Sequence, residues 1–328
     1  VKLIAGDIGG TKCLLATFDT ASRVFKTLRE ERYESARFDG LASVVRAFLV
    51  KNTEKIEAAC FAVAGPVKDG EVITSNLPWH VNGKELASVL GLASVRLVND
   101  FEAVGYGLDQ LQGEDLATLQ AGTRSPTGPI AVLGAGTGLG EAYLVWDGKR
   151  YNVCPSEGGH VEFGPQSLLE TGLLEHLRRR FGHVSYERIL SGSGLAHIQE
   201  FLVASGVEKA TPEVAKAIEH EDPAAVVSKH GLARTDASCV RALDMFASIY
   251  GAQAGNLALT LLASGGVYLA GGIAPRIISK LQEGGFLRAF REKGRLSPLL
   301  ERMPVSVIMN TRVGLLGAAS LAAREGAV

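Results

Sequence analysis

Two stretches of mainly apolar residues, roughly 2–7 and 12–19, flank the turn GDIGGTK at 6–12. A short glycine turn between two β-rich runs predicts a hairpin. The same plan returns around 131–148, where IAVLG leads into GAGTGLG and then EAYLVWDG. Asp7-Ile8-Gly9 lines up with Gly134-Ala135-Gly136 at an offset of 127 residues, an echo that suggests two related α/β halves. Between the echoes the pattern predicts a helix near 40–51, a buried strand near 57–63 (EAACFAV), a helix near 83–91 and a strand at 94–98 that ends on Asn99-Asp100. Residues 110–129 carry QGEDL, AGT and SPTGP, which is linker chemistry, and a domain boundary is placed there. Beyond it the pattern is mostly helical, over 167–181, 186–190, 193–204, 211–219, 237–260 and 275–291, with a strand near 265–270. A strand at 305–309 and an Ala-rich helix at 313–324 follow. The run 247–258 (ASIYGAQAGNLA) and that last helix are both rich in small residues, so the two are expected to pack closely on each other.

Composition changes this picture in few places. The most apolar window, 255–274, holds Asn256 and two Gly-Gly pairs, so it reads as a helix end, a turn and a buried strand rather than a membrane span. Lys plus Arg number 34 and Asp plus Glu 35, a formal net charge of −1. That balance argues against nucleic acid or an anionic membrane surface as partner. A chain of 328 residues is expected to form two domains. Glycine is the outlier, with 39 residues; that is about 12%, against about 7% in average proteins. The glycines cluster in short loops of the kind that turn backbone near a ligand. Cys13, Cys60, Cys154 and Cys239 lie too far apart for a CxxC pair, which excludes zinc-finger and thioredoxin-like motifs. With no leader pattern at the N-terminus, a cytoplasmic chain with reduced thiols is the expectation.

The glycine turns invite comparison with nucleotide fingerprints, and two such readings fail. A Rossmann pattern needs glycine where Leu139 stands and a helix where EAYLVW reads as a strand. A P-loop in GDIGGTK would need glycine at Thr11 and Ser or Thr at Cys13. What remains is a hairpin turn: either its glycines only turn the chain, or its bare N–H groups wrap a phosphate. Two such turns at equivalent places favour the second. Asp7 either caps its turn or orients hydrated Mg2+ beside phosphates. Asn99 and Asp100 stand at the carboxyl end of a predicted strand, where α/β sheets bind ligands, and both are also good N-caps for the helix that follows. In SEGGH (156–160), Glu157 and His160 flank two glycines. That is weak as a metal motif and suited to sugar hydroxyls, with the glycines allowing close approach. Glu187, in HVSYERIL, falls in the first turn of a predicted helix with Ser185 as N-cap, where an acid is favourable in any case. It lies far in sequence from both glycine turns. LAGGIAPR (269–276) is a strand, a glycine pair and a helix opened near Pro275, either a plain βα loop or a slot for a flat base.

Together these motifs resemble the bacterial ATP-dependent glucokinases, of the actin, hexokinase and heat-shock-protein ATPase superfamily. The resemblance runs from GDIGGTK to NTRVGLLGAA and is carried most specifically by LVNDFEAV (97–104), GAGTGLG (134–140), EGGHVEFGP (157–165), GHVSYERILSGSGL (182–195) and LAGGIAPR (269–276). It implies an α/β, two-domain actin-like ATPase (ribonuclease H-like) fold with a cleft between the domains. The small domain would take 1–110 plus 301–328 and the large domain 111–300. It implies phosphorylation of glucose at its 6-hydroxyl by ATP, and a homodimer. Asp7, Gly9, Gly10, Thr11, Lys12, Gly134, Gly136, Thr137 and Gly138 would then belong to the phosphate loops, and Gly271 and Gly272 to the adenosine site. Asn99, Asp100, Glu157, His160 and Glu187 would bind glucose, with Asp100 as catalytic base and Asp7 meeting Mg2+ through water. The related ROK sugar kinases carry a cysteine-rich zinc motif and ROK repressors an N-terminal DNA-binding module. Here no cysteines cluster and the first loop begins at residue 6, so neither zinc nor DNA is expected. A broader hexose kinase, a sugar sensor and an actin-like filament protein are the alternatives. Asp100 counts against the sensor, and the EGGH and SYER elements against the filament.

Overall fold

The computed structural model describes residues 1–22, 24–52, 54–74 and 77–325. The chain separates into two compact units, one of Val1–Asp115, Asn152–Pro155 and Asn310–Val328, the other of Leu116–Tyr151 and Ser156–Met309. In the first unit β1 (Lys2–Ile8) and β2 (Lys12–Asp19) form the expected hairpin, paired antiparallel from Lys2 with Asp19 to Ile8 with Cys13. β3 (Lys26–Glu34) adds to its outer edge. Its sequence KTLREERYE is so charged that the hydrophobic pattern does not show a strand, and that charge discourages further pairing at an open edge. β4 (Ala58–Val63) is buried at every position and runs parallel to β1, as a continuous apolar run covered on both faces should. β5 (Glu71–Ile73) and β6 (His80–Asn82) make a separate ribbon. β7 (Arg96–Asn99), parallel to β4, completes a sheet of order β3-β2-β1-β4-β7.

The second unit contains β8 (Leu116–Gln120), β9 (Ile130–Ala135), β10 (Leu139–Trp146), β12 (Gly266–Ala270) and β13 (Val305–Ile308), while the middle of β11 (Tyr151–Ser156) groups with the first unit. β9 and β10 repeat the antiparallel hairpin, with β12 parallel to β9 and β13 parallel to β12. The order β10-β9-β12-β13 therefore restates β2-β1-β4-β7, and the echo read from two glycine turns extends over four strands. The registers differ by one residue: Ile8 faces Cys13, whereas Ala135 faces Leu139. β8 lies within the stretch read as linker, because LATLQ is too short an apolar run to stand out, and it pairs antiparallel with β13.

Most predicted helices form within a residue or two of expectation, among them Leu168–Phe181, Gly192–Ala204, Ala237–Leu261 and Val313–Glu325. Several segments depart. Residues 186–190 form only a single 3-10 turn, Tyr186–Arg188, and Ser185 makes no capping hydrogen bond there. The predicted helix 275–291 breaks into Ile273–Arg276, Ile278–Gln282 and Gly285–Arg291, the last break at Gly284 with φ +96°. Pro223–Leu232 is a helix the pattern does not show, because PAAVVSKHGL carries an apolar run rather than a stripe. Each small-residue helix packs closely on a neighbour within its own unit. Gly251 of Ala237–Leu261 rests on the Phe286 backbone, and Gly317 of Val313–Glu325 on the Ala103 backbone of helix Asp100–Gly107. Small residues permit close packing without specifying the partner.

At Gly317 a Cβ would collide with the Ala103 carbonyl oxygen, a backbone atom that cannot rotate away. Gly317→Ala should therefore cost about 1–3 kcal/mol by overpacking. Urea unfolding followed by circular dichroism should show a lowered midpoint. Gly113→Ala, whose Cβ would meet nothing within 4 Å, should leave the midpoint in place.

Candidate functional site

In the first unit the turn Gly9-Gly10-Thr11 is closed by the Gly9 N–H donating to the Lys12 carbonyl at 2.9 Å. Ser35 holds it from outside the hairpin: its hydroxyl donates to the Gly9 carbonyl at 3.0 Å and its N–H to the Thr11 carbonyl at 3.1 Å. Thr11 and Lys12 are exposed. Asp7 is a strand residue, paired with Leu14 on one side and Ala62 on the other, so turn capping is not its role. Its carboxyl lies beside Gly314, where a Cβ would come within 3.4 Å of Oδ2. Burial, and then the charge of Asp100, push that carboxyl up to about 6.

Of the two residues that end β7, Asn99 is the cap. Its Oδ1 accepts from the N–H groups of Phe101 (2.9 Å) and Glu102 (3.1 Å), and its Nδ2 donates to the Gly65 carbonyl at 3.2 Å. Asp100 becomes the first helical residue, where its carboxylate accepts the Phe101 N–H at 2.9 Å and gains from the positive end of the helix. Asn99 thereby positions Asp100, and the carboxylates of Asp100 and Asp7 are neighbours at the carboxyl ends of parallel strands, the usual ligand edge of an α/β sheet. Among the described residues no group of three or more His, Cys, Asp or Glu forms a metal cage. The donor set still fits hydrated Mg2+, which is usually held by one or two carboxylates with water and substrate phosphates completing the shell.

In the second unit Gly134 and Ala135 belong to β9, and the turn proper is Gly136-Thr137-Gly138. The Gly136 N–H donates to the Gly138 carbonyl and the Gly192 N–H to the Gly136 carbonyl, both at 2.8 Å. Two predicted segments converge on this hairpin. Gly271, at φ +78°, lies so near Ala135 that a Cβ would collide with the Ala135 carbonyl, so both its conformation and its lack of a side chain are needed. Glu187, which sequence distance separates from the turn, accepts the Leu139 N–H through Oε2 at 3.0 Å, and Gly138 leaves no room for a Cβ beside that carboxylate. His160 Nδ1 lies 3.9 Å from Glu187 Oε1 and His160 Nε2 lies 3.8 Å from Glu157 Oε2, so these three side chains lie together. All remain open to solvent, with side-chain exposures of 86% for Glu157, 58% for His160 and 31% for Glu187. The glycines between Glu157 and His160 also permit a close approach to β10. Gly159 abuts the Leu139 carbonyl and Gly158 the Glu141 carboxylate, both on β10.

Sequence reasoning missed Ser35, Tyr250 and Glu141. The Tyr250 hydroxyl donates to the Leu133 carbonyl at 3.3 Å and accepts the Ala135 N–H at 3.4 Å, bracing the end of β9. Neither Ser35 nor Tyr250 has a local signal, since their partners are remote in sequence. Glu141 had one: it is the only charge in LGEAYLVW, a run otherwise suited to burial.

Asp7 yields a pH prediction for the ligand-free chain. Its folded carboxyl binds a proton more tightly than the unfolded one, whose pKa is near 3.8. The stability it contributes is therefore lost as pH rises from about 4 through about 6. Asp7→Asn should gain Tm over the parent chain across that window, with little gain at or below its lower end. Calorimetry at stepped pH without divalent cations checks this, and a gain independent of pH would refute it.

The glucokinase family model matches residues 4–325. A glucokinase of Nostoc punctiforme is 44% identical over 337 residues, covering 98% of this chain and 99% of that protein. The crystal structure of a glucokinase from an Antarctic psychrotroph is similar with a TM-score of 0.87 at 33% identity, covering 98% of this chain and 99% of that one. A ROK-family glucokinase of Streptomyces griseus, solved in complex with glucose and AMPPNP, has a TM-score of 0.66 at 21% identity over 99% of this chain and 100% of that one. That last likeness is one of fold, the two-domain actin-like ATPase fold. The duplicated glycine hairpins, the ordered motifs and a family match over nearly the whole length lead to one conclusion: this chain belongs to the glucokinase family.

Proposed function

We propose that this chain transfers the γ-phosphoryl group of ATP to the 6-hydroxyl of glucose, giving glucose 6-phosphate and ADP. The observation that carries this reading is the convergence on the second hairpin. Gly271, in the segment assigned to adenosine, packs against Ala135, while Glu187, in the set assigned to glucose, holds Leu139. A turn braced from both segments suits a reaction that joins the two substrates.

An alcohol is a weak nucleophile, so a carboxylate must take its proton as the new bond forms. Asp100 has that role, held in place by the Asn99 cap. The hydroxyl oxygen bonds to the γ-phosphorus, the bond to the β–γ bridging oxygen breaks, ADP departs and the proton rests on Asp100. Glu157, His160 and Glu187 bind ring hydroxyls and place the 6-hydroxyl in line. The segments 9–12 and 134–138 receive the phosphates, helped by the Lys12 charge, and Gly271 and Gly272 border the adenosine. Asp7 would hold hydrated Mg2+ through water, and the ion would supply neutralisation of the ATP phosphate charge. The small domain, 1–110 with 301–328 on sequence grounds, supplies Asp7 and the sugar ligands Asn99 and Asp100; the large, 111–300, supplies Glu157, His160, Glu187 and the base slot. The family resemblance supports a cytoplasmic homodimer, which sedimentation velocity of the purified chain tests.

Asp100→Asn should lower kcat by roughly 10²–10⁴-fold, the usual cost of losing a general base, and preserve glucose affinity. Steady-state assay with ATP and a hexose panel, together with calorimetric titration of glucose, checks both halves; near-normal kcat would remove Asp100 from the role. In the same assays Glu187→Gln should raise the glucose KM by about 10- to 100-fold, as expected for a charged hydrogen bond worth roughly 1.5–3 kcal/mol. Glu187→Ala should raise the ATP KM as well, because it also releases Leu139, whereas Gln keeps an acceptor there. A kcat collapse with both KM values unchanged would contradict this assignment.

A further inference from the structure

Beneath the turn that carries Glu157 and His160 lies a buried acid to which the reaction above gives no task. Glu141 stands two residues past Leu139 on β10 and is 3% exposed. Its Oε1 accepts from Gln253 Nε2 at 2.8 Å, and its Oε2 lies against Gly158 so closely that a Cβ there would collide with it. The polar chain continues away from the turn. Asn256 Nδ2 donates to Gln253 Oε1 at 3.3 Å and to the Tyr186 hydroxyl at 3.1 Å. Asn256 Oδ1 accepts from Lys293 Nζ at 2.8 Å, and Lys293 also donates to the Ala252 carbonyl at 3.1 Å.

The direction of this chain is set at both ends. An ammonium group only donates and an ionised carboxylate only accepts, so each amide between them has a single orientation that satisfies both neighbours. Burial pushes the Glu141 carboxyl up and the Lys293 ammonium down, while the bond from Gln253 draws the Glu141 carboxyl back. The network touches three parts of the sugar set: β10 just beyond Leu139, the 157–160 turn at Gly158, and Tyr186, the residue before Glu187. The turn has two seats on β10. One is backbone, the Leu139 carbonyl under Gly159; the other is the Glu141 side chain under Gly158.

We propose that Glu141 is a positioning residue for glucose binding, its carboxylate, fixed by Gln253, Asn256 and Lys293, forming the seat that sets where Glu157 and His160 stand relative to Glu187. The inference rests on the assignment of those three residues to the sugar. Truncating Glu141 leaves Gln253 Nε2 without its acceptor and a void under Gly158, so the turn settles differently. The loss falls on contacts to non-reacting hydroxyls, which are similar in ground and transition states and so appear in KM rather than kcat.

The test is steady-state kinetics and Tm for Glu141→Ala, Glu141→Gln and Gln253→Leu, with Glu157→Gln as the marker of the sugar site. Glu141→Ala should raise the glucose KM about tenfold or more, the usual scale for losing an outer-shell partner, with kcat and the ATP KM within about twofold. Glu141→Gln, which keeps the shape and an acceptor for Gln253, should recover most of the affinity. Gln253→Leu, which cannot donate, should raise the glucose KM in the same direction and decides the matter together with Glu141→Gln if the alanine variant does not fold. If Glu157→Gln raises the glucose KM while the Glu141 and Gln253 variants lower only Tm, Glu141 is merely structural and the proposal is overturned. If Glu157→Gln itself leaves the glucose KM unchanged, the sugar-site assignment fails, and the proposal with it.

Discussion

The hydrogen bond from the Leu139 N–H to Glu187 is the contact on which the second unit's site depends. It ties the outgoing strand of a hairpin to a single 3-10 turn, an element too short to hold a side chain in place by itself. With that bond made, Glu187 is fixed at one oxygen and left with another for a ligand, and His160 is brought alongside. The bond also explains the bareness of Gly138, since any Cβ there would displace the carboxylate. A backbone donor in a strand needs an acceptor, and here the acceptor is the side chain proposed to bind glucose. Structural satisfaction and site geometry are therefore the same bond.

The first unit solves a comparable problem by dividing labour between neighbours. A helix that starts at the end of β7 must satisfy its first N–H groups, and both Asn99 and Asp100 have the chemistry for it. Asn99 takes two of those donors, and its amide nitrogen reaches back to Gly65. The neutral residue does the capping and the charged one stays at the sheet edge beside Asp7. Burial, and then the neighbouring Asp100 carboxylate, raise the cost of ionising Asp7, whose carboxyl stands at about 6. Such a pair favours a cation or a proton in its vicinity.

Glycine does its work here through contact more than through loop freedom. Gly158, Gly159, Gly271 and Gly317 all lie where a Cβ would strike a neighbour, three of them against a backbone carbonyl. The high glycine content thus reports close approaches between elements, in the hairpins and between helices. The two glycines between Glu157 and His160 are of this kind, both packed on β10.

Where the sequence was legible, the reason is local. The hairpins, the central strand β4 and the long helices follow from period and from runs of six or more apolar residues, which any environment would read the same way. The offset of 127 residues pointed to a repeat, and the resemblance to the glucokinases was what grouped Asn99, Asp100, Glu157, His160 and Glu187. Charged β3, short β8 and the broken helix at 273–291 were not legible, since pairing or packing with remote segments stabilises them against weak local preference. Which of Asn99 and Asp100 caps, what Gly158 rests on, and how Glu187 reaches Leu139 could come only from the tertiary structure. Each depends on atoms brought together from distant positions, and a hydrogen bond or a steric contact exists only once its two partners share a place. Residue types and their spacing determined what chemistry the chain could perform; the folded backbone decided which atoms were committed to holding the site and which were left to use it.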